Sequence, residues 1–505
     1  MMSLAVLFGF GLIISGIAIH IGIPLSQRLG VVDRPGGHKL HDYSTPFVGG
    51  VGVFAALVGT LAVSGYFNVS PMAQWQAIAL GASVMFMTGL IDDIHHLGFR
   101  IRFVIQAGVA LVMVLGGGVV LSDLGFLAFG NKLELGILAI PFTIFATVGV
   151  INALNMIDGI DGLSGSVSLV TLLLLAMVAY AGGAYGYSVL AIGLLGGVAG
   201  FLYFNMRYLT HRRARVFLGD NGSMLLGFLF AWLLIALSQE PIRVIRPVTA
   251  LWLFSVPLMD TLGVMLRRLW LGKSPFRPDR HHLHHLFIRA GFRVQNIVYA
   301  VALIHLSLGI IGIAGMWMGV SEDLMLLAFL LVFTAYCYLI LRPWRFVPSL
   351  RRLHTLLGLT SLETRGVFLG NCTLEGARLL IDGLAEEMKS RDDYQLHVYQ
   401  AEREGRQDRY VYAVLEVLNE DTETSVEEIK GLVEKLKRRF KGKAGIRVRQ
   451  FLIRNSANDR RVGAKHTTQN FRSIDRRSKH HKKLIHNTQR ARHQPAYGSH
   501  GMTHG

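Results

Sequence analysis

Two adjacent carboxylates, Asp92 and Asp93, lie at the end of a long apolar segment, and Arg102 follows ten residues after the first of them. Charged side chains at the end of a membrane helix are costly unless they bind a cation or transfer protons. The pair therefore indicates a cation or proton site. The alternative is an ordinary, solvated helix cap.

A second group of polar residues lies between two apolar segments, with no basic residue nearby. Its members recur at about helical spacing, so their oxygen atoms are predicted to line one wall of a cavity. They are Asn152, Asn155, Asp158 and, less regularly, Asp161. Mg²⁺ prefers oxygen ligands, including substrate phosphate oxygens, so the group favours a metal–diphosphate site. Helix capping at a re-entrant turn would explain one aspartate but not all four residues.

Three further motifs place acidic, imidazole or basic groups in loops. Asp220 begins an apolar segment shortly after three arginines, and taken alone it could be an ordinary N-cap. Four histidines follow Arg280; zinc could bind such a cluster, but without a nearby cysteine phosphate recognition is the better interpretation. Lys39, in the first basic loop, could recruit a lipid phosphate or only anchor the loop at the membrane surface.

Membrane helices must position these groups, because 51% of the 505 residues are hydrophobic and only 17% are charged. Crossing the hydrocarbon core takes about 20 apolar residues. The sequence therefore predicts an α-helical polytopic membrane protein with about 11 transmembrane helices. The predicted spans are 4–25, 47–67, 75–91, 102–121, 134–152, 163–182, 186–204, 222–238, 247–266, 295–317 and 323–341.

Basic residues are concentrated in alternate loops, and the positive-inside rule assigns those loops to the cytoplasm. The N-terminus is then predicted outside, with the polar motifs and everything after about residue 342 inside. The formal net charge of +18 would also suit a nucleic-acid binder. Since many of the basic residues fall in these short loops, no nucleic acid is expected as a partner.

A soluble part follows the last apolar stretch. Its predicted elements, in the order βαββαβ, are 366–370, 373–391, 395–401, 409–418, 425–439 and 446–453. This order is typical of a ferredoxin-like α/β domain, here over 362–454, for which we expect a regulatory or partner-binding role. Residues 455–505 are polar, basic and rich in histidine, which predicts a disordered tail. The membrane-embedded catalytic domain would then span 1–345.

In their order, the motifs resemble the polyprenyl-phosphate N-acetylhexosamine-1-phosphate transferase family. The resemblance covers about residues 1–345 and rests on DD at 92–93, NALNMIDGIDGL at 152–163, FLGDNGS at 217–223 and SPFRPDRHHLHHL at 274–286. The last motif is most similar to the bacterial branch that uses undecaprenyl phosphate and N-acetylglucosamine to start O-antigen and related glycans. The resemblance thus implies a bacterial cytoplasmic membrane.

The resemblance also implies ligands and roles. Mg²⁺, with Mn²⁺ as an alternative, would be bound by Asn155, Asp220 and the nucleotide-sugar diphosphate. Catalytic roles are implied for Asp92, Asp93, Asp158 and Asp161. Substrate-binding roles are implied for Lys39, Arg102, Asn152, Arg280, His282, His284 and His285. The implied partners are a UDP-N-acetylhexosamine, undecaprenyl phosphate and membrane lipids, and the sequence leaves a homodimer open.

Two other classes of protein compete with this interpretation. A transporter could bind an anionic glycolipid without chemistry, but transporters place buried charges near the midplane, often in paired repeats. Here the charges are predicted at one face, and no internal repeat is evident. A membrane-tethered nucleic-acid binder would account only for the basic tail.

Overall fold

The computed structural model of the protein describes residues 4–33, 45–66, 72–127, 130–207, 214–272, 274, 282–290, 292–342, 346–347, 349–350, 353, 367–370, 394–402, 409–417 and 447–450. The chain divides into two units, Met1–Val347 and Pro348–Gly505. All predicted site residues lie in the first unit.

The first unit is helical, as expected for apolar runs that must satisfy their backbone hydrogen bonds within a bilayer. A two-stranded antiparallel ribbon, β1 (Val32–Asp33) with β2 (Thr45–Pro46), follows the first helix. The helices are α1 (Leu4–Leu29), α2 (Gly49–Tyr66), α3 (Met72–His95), α4 (Phe99–Gly117), α5 (Ala139–Ile157), α6 (Leu163–Ala181), α7 (Tyr185–Asn205), α8 (Gly219–Ser238), α9 (Pro247–Leu253), α10 (Ser255–Trp270), α11 (Leu283–Ala290), α12 (Val294–Trp317) and α13 (Glu322–Leu341).

Nine helices within the described ranges are long and apolar enough to cross a membrane, and the bent pair of α9 and α10 would make a tenth. The predicted multi-pass membrane architecture is therefore confirmed. This count is one below the predicted number of about eleven spans. The stretch predicted at 47–67 contains α2, of which residues Gly49–Ser64 count as a shorter apolar helix.

The predicted span 247–266 is not one straight helix, because α9 and α10 meet at an angle of 84°. Pro257 has no N–H to donate to the carbonyl of Leu253, and its ring crowds that carbonyl, so the helix breaks there. The Leu253 carbonyl instead lies 3.4 Å from the hydroxyl of Thr171 on α6. His305 Nε2 on α12 lies 2.8 Å from the same hydroxyl, which also donates to the Val167 carbonyl at 3.1 Å, so this buried polar group has several partners.

Helix α8 is the centre of the first unit. Every residue of α8 except Asp220 is buried, and α2, α3 and α5 pack around it. The backbones of α3 and α8 approach very closely at Gly89, where a Cβ would lie 2.4 Å from the Cα atom of Asn221. The start of α8 is therefore held directly against the end of α3.

A buried network of charges ties together the connections at the other end of α8. Asp123, 2% exposed, lies between α4 and α5 and pairs with Lys132 at 3.1 Å and with Arg243. Gln239 Oε1 accepts the backbone N–H groups of Ser122 and Asp123 at 2.8 and 3.1 Å. Burial raises the pKa of Asp123, but the hydrogen bonds from Lys132, a backbone N–H and Arg243 outweigh burial and hold that pKa below its usual value.

The second unit contains four described strands: β3 (Val367–Gly370), β4 (Tyr394–Glu402), β5 (Arg409–Val417) and β6 (Arg447–Gln450). Strand β3 pairs with β6 and β4 pairs with β5, both antiparallel. Each strand overlaps a predicted one. The helices predicted at 373–391 and 425–439, like the tail 455–505, lie outside the described residues, so the ferredoxin-like arrangement stays a prediction.

Helix α1 packs tightly along α7. A Cβ on Gly196 of α7 would lie only 2.1 Å from the backbone carbonyl oxygen of Phe8 on α1. Without a hydrophobic effect inside the bilayer, such close van der Waals contact is what holds helices together. The absence of a side chain at Gly196 is thus a condition for the α1–α7 contact.

We expect Gly196→Ala to destabilise the protein by about 1–3 kcal/mol, because the added methyl group overpacks this contact. The matched control is Gly149→Ala on α5, where a Cβ would meet nothing within 4 Å. The control should be neutral or about 0.5–1 kcal/mol more stable, since alanine favours helices over glycine. Thermal unfolding of both variants in detergent measures the difference. Equal stability of the two variants would contradict the tight packing.

Candidate active site

The first turn of α8 is capped by a carboxylate from α3. Asp93 Oδ1 accepts the backbone N–H of Asp220 at 2.9 Å, and Asp93 Oδ2 accepts the backbone and side-chain N–H groups of Asn221 at 3.1 and 2.6 Å. N–H groups at a helix start lack partners within the helix and attract negative charge. Gly219, with φ at +74°, starts this turn, and a Cβ there would lie 2.7 Å from Asp93 Oδ2. Asp93 is therefore the cap of α8, and the Asp220 side chain is not.

The Asp220 side chain instead meets groups from two neighbouring helices. Asn155 Nδ2, on α5, donates to Asp220 Oδ1 at 2.5 Å and to Ser223 Oγ at 2.9 Å. The carboxylate of Asp92, on α3, lies close enough to Asp220 to interact with it. Two carboxylates and one amide thus converge at the start of α8.

Asp92 is only 3% exposed, and both of its oxygens have donors. Arg102 Nη1, on α4, donates to Asp92 Oδ2 at 2.7 Å, and the backbone N–H of Leu97 donates to Oδ1 at 2.6 Å. The charge of Arg102 also acts on Asp220. One guanidinium offsets part of the repulsion between two carboxylates, and a divalent cation would offset the rest.

The turn between α5 and α6 carries two more acidic residues. Asp158, just after α5, accepts the hydroxyl of Ser164 at 2.5 Å, and Asp161 pairs with Arg207 at 2.8 Å. Burial, together with the charges of Asp220 and Asp161, raises the pKa of Asp158 to about 7, although the hydrogen bond from Ser164 acts in the opposite direction. Asp158 can therefore gain or lose a proton close to neutral pH.

The start of α11 brings His284 to this turn, with His282 and His285 beside it. His284 is buried, and a Cβ on Gly159 would lie 2.8 Å from its Nε2 atom, so the ring packs on the backbone of the turn. The rings of His282 and His284 lie 5.7 Å apart and nearly parallel, and the ring of His285 lies 4.2 Å from that of His284. Burial, together with the neighbouring His285 and His282, lowers the pKa of His284 to about 3, although Asp260 acts in the opposite direction. His284 is thus a neutral imidazole at physiological pH.

Comparison with known proteins identifies the family of this arrangement. The sequence model described as glycosyl transferase family 4 matches residues 75–238. The undecaprenyl-phosphate alpha-N-acetylglucosaminyl 1-phosphate transferase of Escherichia coli O157:H7 is 36% identical over 329 residues, which are 65% of this chain and 88% of that protein. The chain belongs to glycosyl transferase family 4.

Other transferases of the same name show similar agreement. The protein of Salmonella typhi is 34% identical over 337 residues, covering 66% of this chain and 90% of its own length. That of Haemophilus influenzae is 33% identical over 336 residues, covering 65% and 92%. The matched family region includes three of the four motifs and ends before the histidines.

Most of the residues predicted from the sequence to form the site are linked in one set of contacts and charge interactions. Asp93 also belongs to it, but as the cap of α8. Lys39 and Arg280 lie outside the described residues. The connected residues are Asp92, Arg102, Asn155, Asp158, Asp161, Asp220, His282, His284 and His285.

Asn152 is placed differently from the other polar residues of its motif. Its Nδ2 donates to Gln106 Oε1 at 2.7 Å and to the carbonyl of Val148 at 2.8 Å. The amide therefore faces α4 and its own helix. The predicted single helical wall is wrong as a whole, because α5 ends at Ile157 and the last two acidic residues belong to the turn that follows.

Sequence reasoning overlooked Asp260, which is buried on α10 and lies 2.8 Å from His282 Nδ1. A signal for it was present: an ionisable residue inside an apolar membrane stretch is a functional candidate by default. The sequence did not show its partner, since His282 is on another helix.

We expect replacement of His284 to change how stability depends on pH. Folded His284 has a pKa of about 3 against an ordinary 6.5, so the unfolded chain takes up a proton below pH 6.5 while the folded protein does not. Wild type should therefore lose about 2 kcal/mol relative to His284→Asn between pH 7 and pH 5. Thermal unfolding in detergent at both pH values measures this, and a pH-independent difference would contradict a buried, neutral His284.

Proposed function

We propose that this protein transfers N-acetylglucosamine 1-phosphate, or the 1-phosphate of a related N-acetylhexosamine, from a UDP-sugar to undecaprenyl phosphate, and releases UMP. The observation that carries the proposal is the convergence of Asp92, Asn155 and Asp220 at the start of α8, with Arg102 beside them. This arrangement suits a reaction between two anionic substrates. The names of the relatives, which are undecaprenyl-phosphate alpha-N-acetylglucosaminyl 1-phosphate transferases, support it.

Mg²⁺, or Mn²⁺ in its place, is the proposed cofactor. The described residues contain no group of three or more His, Cys, Asp or Glu that could hold a metal ion. Asn155 and Asp220 would therefore share the ion with the donor diphosphate. This agrees with the usual coordination of Mg²⁺, which takes few ligands from the protein. When bound, the ion would neutralise charge on the diphosphate.

The reaction is a displacement at phosphorus. An oxygen of the lipid phosphate bonds to the sugar-bearing phosphorus, while the bond from that phosphorus to the bridging oxygen breaks and this oxygen leaves with UMP. A lipid phosphate is already largely ionised at neutral pH, so no base is required. Asp92 would act mainly by holding Arg102, whose charge would help to position a phosphate group.

The histidines would contribute to binding of the donor. His284 is neutral and can donate one hydrogen bond rather than carry a charge. With His282, His285 and Arg280 it would contact the diphosphate or the sugar. Asp158, whose pKa is about 7, could exchange a proton with a sugar hydroxyl or bound water.

The positive-inside rule supports a place in the bacterial cytoplasmic membrane with the N-terminus outside. The active site and the second unit would then face the cytoplasm, where nucleotide sugars are made. The lipid-linked product would begin a cell-surface glycan of the O-antigen type.

The central test uses purified protein with UDP-N-acetylglucosamine, undecaprenyl phosphate and Mg²⁺, scored for UMP release. Asp220→Ala should lower the rate by at least about 100-fold, as expected for loss of a group that stabilises charge in the reaction. It should leave folding intact, because the cap of α8 uses the backbone N–H of residue 220.

The control for this test is Asp323→Ala in the first turn of α13, far from the site along the sequence. It should retain UMP release. Wild-type protein that releases no UMP with any UDP-N-acetylhexosamine would contradict the proposed reaction. An Asp220→Ala variant with wild-type turnover would contradict only the metal assignment.

Truncation after residue 352 should leave UMP release measurable. All the residues assigned here to the reaction lie in the first unit. The truncated and full-length proteins must be compared at equal abundance in the membrane, because loss of a domain can lower expression. If well-expressed truncated protein releases no UMP, the second unit takes part in catalysis.

A further inference from the structure

Asp260 is a carboxylate in the first half of α10 and is 1% exposed. A buried carboxylate is costly unless donors surround it. Asp260 has three donors. Its Oδ2 lies 2.8 Å from His282 Nδ1, and its Oδ1 accepts the backbone N–H of Leu283 at 2.9 Å and the hydroxyl of Tyr336.

Two of these donors belong to the start of α11. The N–H of Leu283 is in its first turn, where helix N–H groups lack internal partners, so Asp260 caps this helix from α10. The third donor, Tyr336, is on α13. A single carboxylate therefore joins α10, α11 and α13.

The position of α11 determines where the histidines lie. His284, two residues after His282, packs on Gly159 in the turn that carries Asp158. A shift of α11 would move this imidazole away from the turn. The link runs from Asp260, through His282 and Leu283, to the proposed donor site.

Asp260 also determines which nitrogen of His282 carries a proton. An ionised carboxylate only accepts hydrogen bonds, so Nδ1 of His282 must carry the proton in this contact. Nε2 is then the nitrogen available to a ligand. In many enzymes, a carboxylate behind a histidine orients the ring and selects its tautomer in this way.

We propose that Asp260 is a positioning residue: it holds α11 so that His282 and His284 meet the donor substrate, and it keeps the proton of His282 on Nδ1. Tyr336 supports the same carboxylate from α13. This inference rests on the proposed transferase function. The competing explanation is that Asp260 only ties three helices together.

Asp260→Asn separates these explanations because it preserves shape. Its amide oxygen can still accept from Leu283 and Tyr336, while its NH₂ group faces His282 and forces the proton to Nε2. We expect kcat/KM for the UDP-sugar to fall about 10- to 100-fold, the usual effect of losing a carboxylate that orients a ligand-binding histidine. The thermal midpoint should stay close to that of wild type. Asp323→Asn on α13 is the matched control and should keep wild-type kcat/KM.

A double-mutant cycle with His282→Ala tests whether Asp260 acts through that histidine. If it does, adding Asp260→Asn to His282→Ala should change kcat/KM by less than about 2-fold. If the two substitutions instead lower kcat/KM by independent factors, so that the double variant shows their product, the proposal is overturned. Wild-type kcat/KM in Asp260→Asn would also overturn it. So would a loss of activity that only follows a loss of folded protein.

If Asp260→Asn does not fold, Tyr336→Phe decides the matter. This variant removes one donor and keeps the Asp260–His282 contact. We expect kcat/KM to fall by up to about 10-fold at an unchanged thermal midpoint. As before, the fall should occur only in protein that retains His282. No change in kcat/KM would overturn the proposal. An inactive wild type would instead overturn the transferase function itself, so the two failures are distinguishable.

Discussion

The contact between the Asp93 carboxylate and the first N–H groups of α8 is the interaction on which the site depends. It places the end of α3 against the start of the central helix, where Gly89 allows the two backbones to touch. Because Asp93 satisfies the helix end, the side chain of Asp220 can turn towards Asn155 instead. The neighbouring Asp92 is carried to the same place by the same helix. The cap thus joins α3 and α8 at the point where Asn155 of α5 meets Asp220.

Adjacent residues on a helix point about 100° apart, so Asp92 and Asp93 cannot perform the same task. Asp93 faces α8 and is fully engaged by N–H donors, whereas Asp92 faces Arg102 and Asp220. A role for Asp93 in the reaction would therefore be indirect. The catalytic role predicted for it stays untested, but the geometry favours support of the site. Asp260 has a similar supporting position: it contacts His282 and does not itself face the turn between α5 and α6.

The sequence predicted the membrane architecture, the four motifs and the gathering of most of their residues, because apolar length and unusual polar clusters are local signals. It could not predict contacts that depend on how helices rotate against one another. Asn152 and Asp161 are nine residues apart, and about 100° per residue turns them to opposite sides even of a continuous helix. Pro257 was a signal in the sequence for the helix break that precedes it, because proline interrupts a helix. The partner of Asp260 was not readable, because it required knowledge of where α11 folds back.

The charged network around Asp123 gives the molecule two unlike ends. At that end, Lys132, Arg243 and Gln239 bind the connecting segments to one another, while the acidic cluster lies at the opposite end of α8. Between the two ends, α8 is buried along its whole length. A lipid with a charged head group would thus react only at the end of α8 that carries the acidic cluster, and it would remain in the leaflet where it was made. Export of such a lipid would require a second protein that turns it over, so synthesis and translocation would be separate steps under separate control.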